Sequence, residues 1–344
     1  MKGLTIHAVA PTRICDVGGW TDTWFSETGR IFNIAISPLV EVQVRVLDSA
    51  CDTSDVMVRA ENYQERYRVD PALQPPGKHP LIEAALSEIQ LPQNCQLEVN
   101  IFSSAPPGAS MGTSAAVSVA LIGALDALTE GRLLPADVAA WAHRLETEKL
   151  GLECGVQDQI ASAMGGVNLI EMPAYPNAVS QRVLPDPQTL WELEQRLLLI
   201  YIGKPHQSSE IHRRVIADLG EKPAEDRRLV ELRQLAGQAA DALMEGDFKA
   251  LGDVFNKNTA IQRALHPDLV CPDFEEIIRV SGDYHALGCK VNGAGGDGGS
   301  VAILCSGDLY EKRKMEKQLL EAGYQSLPVL LASEGLRVWS AESS

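Results

Sequence analysis

The chain has 344 residues, 45% hydrophobic and 22% charged, with a formal net charge of −16. That length exceeds what one core usually holds, so two domains are expected, and nothing in the composition calls for disorder. The acidity, with no run of Lys and Arg, excludes the basic stripe of a nucleic-acid binder, and an anionic ligand would need a local pocket rich in backbone amides or positive charge.

In chain order, Leu4–Val9 reads as a strand, and Pro11 and Arg13 interrupt the apolar stretch that a signal peptide would require. Glu41–Val46 and Gln96–Ile101 alternate polar and apolar residues, as strands with one buried face do. Apolar residues at 117, 120, 121, 124, 125 and 128 have helical spacing, and the opposite face is also apolar, so this helix is expected in the core. The longest apolar run, Ala115–Leu125, is too short to span a bilayer, and no membrane association is expected. Ala136–Lys149 and Gly155–Met164 read as helices, Gly165-Gly166 stops the second, and Val167–Glu171 resumes as strand. Prolines at 173, 176, 185 and 187 mark a seam between a domain at 1–185 and another at 186–344. Beyond it come a strand at Leu197–Ile202, helices at 208–219, 225–245 and 247–263, a strand at Val301–Leu304, a helix at 308–322 and a strand at Leu336–Trp339. Interleaved helices and strands, with antiparallel pairs at the N-terminus, predict an α+β fold.

Seven cysteines at 15, 51, 95, 154, 271, 289 and 305 form no Cys-x-x-Cys pair. The odd, scattered set argues against a disulfide framework and a zinc knuckle, and fits a cytoplasmic protein.

The segment Pro106-Pro107-Gly108-Ala109-Ser110-Met111-Gly112-Thr113-Ser114-Ala115-Ala116 lies between a predicted strand and the buried helix. Glycines let backbone amides approach a ligand, and a helix start adds free N–H groups and a positive dipole end. Ser or Thr there caps the helix or offers a hydroxyl to phosphate or Mg²⁺. There is no Gly-Lys-Ser/Thr, so this is not a Walker A loop. A plain capped helix explains the loop about as well as a phosphate cradle does.

The loop resembles the ATP loop of the GHMP kinases, the superfamily of galactokinase, homoserine kinase and mevalonate kinase. Two further segments match in order and distance. Ala10-Pro11-Thr12-Arg13-Ile14-Cys15-Asp16-Val17-Gly18-Gly19-Trp20-Thr21-Asp22-Thr23 is similar to the segment that meets the phosphoryl acceptor. The resemblance implies Arg13 beside the transferring phosphoryl group, and Gly19, Trp20 and Asp22 against a sugar. Galactokinases carry Glu-His where this chain has Gly19-Trp20, and Gly-Gly-x-Thr-Asp resembles the bacterial heptose-phosphate kinases and the fucokinases instead. Gly155-Val156-Gln157-Asp158-Gln159 resembles the stretch that supplies the catalytic Asp, with Gln157 near substrate. Asp158 would take or orient the acceptor proton, and Glu146 with Ser114 would hold Mg²⁺.

Asn292-Gly293-Ala294-Gly295-Gly296-Asp297-Gly298-Gly299-Ser300 resembles the family's third glycine motif, which places Gly295 and Gly296 against the substrate; Asp297 departs from the usual all-glycine form. Gly203-Lys204-Pro205-His206-Gln207-Ser208-Ser209 is either a helix cap or a site for a second phosphate on the substrate. The resemblance implies a ribosomal-S5-like N-terminal half, a ferredoxin-like C-terminal half, and ATP-dependent phosphorylation of a sugar hydroxyl, the anomeric one by similarity to the Gly-Gly-x-Thr-Asp members. Expected partners are ATP and a sugar or sugar phosphate, with a homodimer left open. A sugar-phosphate kinase, a non-catalytic sensor and an ATP-dependent decarboxylase are the rival readings. The presence of Ser114, Glu146 and Asp158 together argues against a decayed site.

Overall fold

A computed structural model describes residues 3–48, 55–69, 77–89, 91, 95–129, 131–204, 208–220 and 222–342. The N-terminal half is built on strands β1 (Leu4–Val17), β2 (Gly29–Asp48), β3 (Asp55–Ala60), β4 (Glu65–Val69), β5 (Gln96–Ser103), β6 (Val167–Ala174) and β7 (Asn177–Arg182). A second sheet holds β8 (Leu197–Tyr201), β9 (Gly288–Val291), β10 (Ser300–Leu304) and β11 (Gln325–Leu327), all antiparallel in the order β11-β8-β10-β9. The chain then returns. β12 (Leu330–Leu331) pairs with β2 and β13 (Arg337–Glu342) with β1, so the first sheet runs β13-β1-β2-β5-β3-β4, with β6 and β7 branching from β2. A division at 185/186 thus puts β12 and β13 in one segment of sequence and in the sheet of the other.

Ten helices among the described residues cover the sheets: α1 (Pro80–Glu88), α2 (Thr113–Leu128), α3 (Pro135–Arg144), α4 (Gln157–Met164), α5 (Pro187–Arg196), α6 (Ser208–Leu219), α7 (Arg227–Met244), α8 (Phe248–Leu265), α9 (Pro272–Asp283) and α10 (Leu309–Glu321). α2 is apolar nearly all round, and so it lies inside the core formed with β1, β2 and β5 through Val119, Leu121, Ile122 and Leu125. A second core binds the two halves together. It joins Ile14, Phe32 and Ile34 of the first sheet, Leu199 and Leu304 of the second, and Leu243 and Phe255 of α7 and α8. Ala109 and Met111 of the glycine-rich loop are buried in it, so the loop is anchored from beneath by apolar contact.

The predicted strands and helices all appear, and the N-terminal pairs β1–β2 and β2–β5 are antiparallel. Two differences bear on the site. The proline-rich stretch 173–187 contains β7, which forms a hairpin with β6. The helix expected over Ala136–Lys149 widens after Arg144 into a π turn at Leu145–Lys149, a distortion that often accompanies functional positions.

Candidate active site

A cleft of about 820 Å³ opens between the glycine-rich loop, the turn after β1, the start of α4 and the glycine run before β10. The loop reaches it because β5 ends at Ser103 and Gly112 takes φ 69°, a left-handed conformation that glycine adopts freely, just before α2 starts at Thr113. A Cβ at Gly112 would also lie 3.1 Å from the Asp158 carboxyl carbon.

Asp158 sits in the first turn of α4. Arg13 holds it by a two-pronged ion pair: Nε donates to Oδ1 at 2.7 Å and Nη2 to Oδ2 at 3.1 Å. Arg13 Nη1 donates to the Ser110 carbonyl at 2.5 Å, which ties β1 to the glycine-rich loop. Burial opposes the Arg13 charge, but Asp158, Asp16 and Asp22 outweigh it and hold the guanidinium above its ordinary value. The planar fork matches a carboxylate in a way lysine cannot.

Asp22 is almost fully buried and accepts from the Gln157 backbone N–H at 3.2 Å. Burial and the nearby Asp158 charge push its carboxyl up to about 6. Gly155 makes room for it, since a Cβ there would fall 1.9 Å from Asp22 Oδ2. Trp20 lines the cleft, meets the His212 ring edge-on at 4.9 Å and packs with Val215 and Leu232. Most of the ring is therefore packed in the core, and a margin of it lines the cleft.

Glu146, on the π turn, faces the same cleft and accepts from Gln159 Nε2 at 2.9 Å. Burial pushes its carboxyl up to about 7. Ser114, exposed in the first turn of α2, lines the cleft with it. A hydroxyl and a buried carboxylate with no cationic partner among the described residues fit a Mg²⁺ ion, which usually takes few protein oxygens and keeps several waters.

Of the other residues named from the sequence, Gly108, Ala109, Ser110 and Thr113 line the cleft. Pro107 instead lines an adjoining hollow of about 260 Å³, and its carbonyl accepts from the Tyr201 hydroxyl. Gly19 lies behind the cleft wall, where a Cβ would sit 2.7 Å from Asp16 Oδ2. Gly295 and Gly296 do not reach the cleft. A Cβ on Gly295 would point at the Leu269 carbonyl, and Gly296 donates its N–H to that same carbonyl. The cleft-lining residues of that run are Gly293 and Ala294. In the stretch 203–209, residues 205–207 lie outside the described residues, and Lys204 pairs with Asp273 at 2.6 Å.

Two residues were not found from sequence. Lys290 of β9 has no exposed surface, and its Nζ reaches Asp16 Oδ1 at 3.2 Å and Gln262 Oε1 at 3.1 Å. Asp16 in turn accepts the Gly293 N–H at 3.0 Å and lines the cleft. The pair locks the third glycine run to β1 from below. Removing one partner of a buried pair leaves the other charge uncompensated, so Lys290→Met should cost about 3–5 kcal/mol in urea unfolding. The double variant Lys290→Met/Asp16→Leu should lose clearly less, and an equal or larger loss would contradict this role.

Comparison with known proteins agrees with this architecture. The GHMP kinases N terminal domain family matches residues 80–166, and the GHMP kinases C terminal family matches residues 239–324. The D-glycero-alpha-D-manno-heptose 7-phosphate kinase of Campylobacter jejuni is 25% identical over 97% of this chain and 99% of its own. The bifunctional fucokinase/GDP-fucose pyrophosphorylase of Arabidopsis thaliana is 24% identical over 90% of this chain, which spans only 30% of that protein. In fold, the crystal structure of a D-glycero-D-manno-heptose 1-phosphate kinase from Bacteriodes thetaiotaomicron superposes with a TM-score of 0.78, at 20% identity over 98% of this chain and 100% of that one. The chain belongs to the GHMP kinase family and is a two-domain phosphotransferase with an alcohol group as acceptor. Among the described residues, no helix is long and apolar enough to cross a membrane.

Proposed function

We propose that the protein is an ATP-dependent sugar kinase that transfers the γ-phosphoryl group of ATP to the anomeric hydroxyl of its acceptor. The observation that carries this is the Arg13–Asp158 pair, held at 2.7 Å between the glycine-rich loop and Asp22 in one cleft. ATP and sugar-kinase relatives are what the family supplies; the anomeric position rests on the resemblance of Gly18-Gly19-Trp20-Thr21-Asp22.

In this reading the backbone N–H groups of residues 108–114 and the start of α2 bind the ATP phosphates. The adjoining hollow lined by Tyr63, His79 and Val117 takes the adenine. Ser114 and Glu146 hold Mg²⁺, which neutralises phosphate charge when bound. Asp22 accepts hydrogen bonds from acceptor hydroxyls. Asp158 takes the proton as the acceptor oxygen bonds to the γ-phosphorus and the bond to the β-phosphate oxygen breaks. Arg13 aims the Asp158 carboxylate and offsets the charge around it. Positioning and charge compensation carry most of such a reaction.

An ADP-release assay with ATP and Mg²⁺ across fucose, galactose, arabinose, mannose, glucuronate and heptose 7-phosphate tests the reading. Acceptor-dependent ADP, with NMR of the product showing phosphate on C1, is expected. ATP binding without turnover on any of them would favour a sensor. Gly155→Ala should displace Asp22 and raise the acceptor KM more than tenfold while the KM for ATP holds. Equal rises in both would argue against Asp22 as the acceptor-binding group.

A further inference from the structure

The acceptor end of the cleft is dominated by acids. Asp16, Asp22, Asp158 and the exposed Glu153 all line it. Among the described residues, the cleft-lining Lys and Arg side chains are Arg13 and Lys149. Each is already engaged: Arg13 by Asp158 and the Ser110 carbonyl, and Lys149 by Glu88 at 2.7 Å. Lys290 is sealed beneath the floor by Asp16 and Gln262. His212 turns its Nδ1 to the Glu153 carbonyl at 2.9 Å and its ring to Trp20. The Trp24 indole N–H donates to the Glu153 carboxylate, which has no cationic partner among the described residues.

The chemistry of these groups is selective. Carboxylates only accept hydrogen bonds when ionised, and a phosphate dianion also only accepts. The two cannot satisfy each other, and like charges in a partly dry cleft repel. Sugar hydroxyls donate, so they answer the carboxylates directly. Gln157 and Trp20 also line the cleft and are more than nine-tenths buried; Gln157 Oε1 and Trp20 Nε1 have no hydrogen-bond partner among the described residues, but both atoms are covered rather than open to the cleft. The raised Asp22 carboxyl, caused by burial and by Asp158, has the same sense, since a further anion beside it would push it higher still.

Resting on the kinase reading, we infer that the acceptor is an uncharged polyol, a free sugar, and that sugar phosphates, sugar acids and other anionic alcohols are rejected by the carboxylates around the Arg13–Asp158 pair. The anionic co-substrate is instead taken by the amides of the glycine-rich loop and by a divalent cation at Ser114 and Glu146, so the cleft meets its two substrates with opposite chemistries.

The test is kcat/KM for ADP release with matched pairs: galactose against galactose 6-phosphate and galacturonate, mannose against mannose 6-phosphate, and heptose against heptose 7-phosphate, with mevalonate as an anionic alcohol that is not a sugar. Turnover on at least one free sugar, with every anion at least a hundredfold poorer, is expected. An anion equal to or better than the best free sugar overturns the inference and leaves the kinase reading standing. Silence of both classes overturns the kinase reading and this inference with it. Glu153→Arg places a cation on the exposed rim without touching the buried groups, and it should move the anion-to-neutral ratio of kcat/KM at least tenfold toward the anion. An unchanged ratio overturns the electrostatic basis of the selection.

Discussion

Asp158→Ala should lower kcat by about 10²- to 10³-fold while the KM for ATP changes less than threefold, the range expected for loss of a general base in a reaction dominated by positioning. In the proposed reading ATP is held at the glycine-rich loop and the hollow beyond it, neither of which needs the Asp158 carboxylate. The variant also releases the Arg13 fork, which keeps its bond to the Ser110 carbonyl at 2.5 Å and therefore stays near the phosphoryl path. Asp158→Asn separates the two roles. It preserves shape and a hydrogen bond to Arg13 but cannot take a proton, so its kcat should fall nearly as far as that of the alanine variant. Retention of more than a tenth of wild-type kcat in Asp158→Asn would remove Asp158 as the base and leave it an orienting group.

Glu146→Gln should abolish most Mg²⁺-dependent turnover and at the same time stabilise the ligand-free protein. The sign follows from the carboxyl being pushed up to about 7 by burial, against an ordinary value of 4.5. A carboxyl raised on folding contributes stability that is complete below its unfolded value and is lost as pH rises through the folded one. At pH 8 the ionised Glu146 therefore costs the fold about 3 kcal/mol, and at pH 5 under about 1 kcal/mol. Glutamine keeps the acceptor oxygen for Gln159 and carries no charge. Its unfolding midpoint should exceed that of the wild type at pH 8 and approach it at pH 5. The same raised value requires a proton to leave when a divalent cation binds, so apparent Mg²⁺ affinity in the wild type should weaken by up to tenfold per unit below pH 7. A Glu146→Gln protein no more stable than wild type at pH 8 would contradict the buried, uncompensated charge. Mg²⁺ dependence without a pH slope would contradict its role as the ligand.

The parts of this site that could be read in the sequence are those built from local chemistry. Pro106–Ala116 announced a strand–loop–helix with glycines and hydroxyls at the helix start, and that is what Gly112 and α2 form. Asp158 was legible because Gly155 closes one element and a carboxylate in the next first turn suits the helix dipole. Glu146 carried a weaker signal: a helical pattern continued through Lys149, and nothing local revealed that the helix widens there into a π turn. What stayed hidden depends on residues distant in sequence. Lys290 and Asp16 are separated by 274 positions, and each alone reads as an ordinary surface charge. The third glycine run was recognised, but its register was not. Which glycines meet the cleft depends on the Asp16 bond to Gly293 and on Gly296 docking against Leu269. The short strands β3 and β4 were missed and the return of β13 beside β1 was unplaced, because sheet partnership is set by packing across the chain.

The most direct test of the central claim is to follow label from ATP carrying ³²P at the γ position in the presence of Mg²⁺ and a free sugar that supports ADP release. The account predicts that the label appears on the sugar in step with ADP, and that Asp158→Ala lowers both together by the same factor. Label released as inorganic phosphate, at a rate indifferent to the sugar, would contradict it.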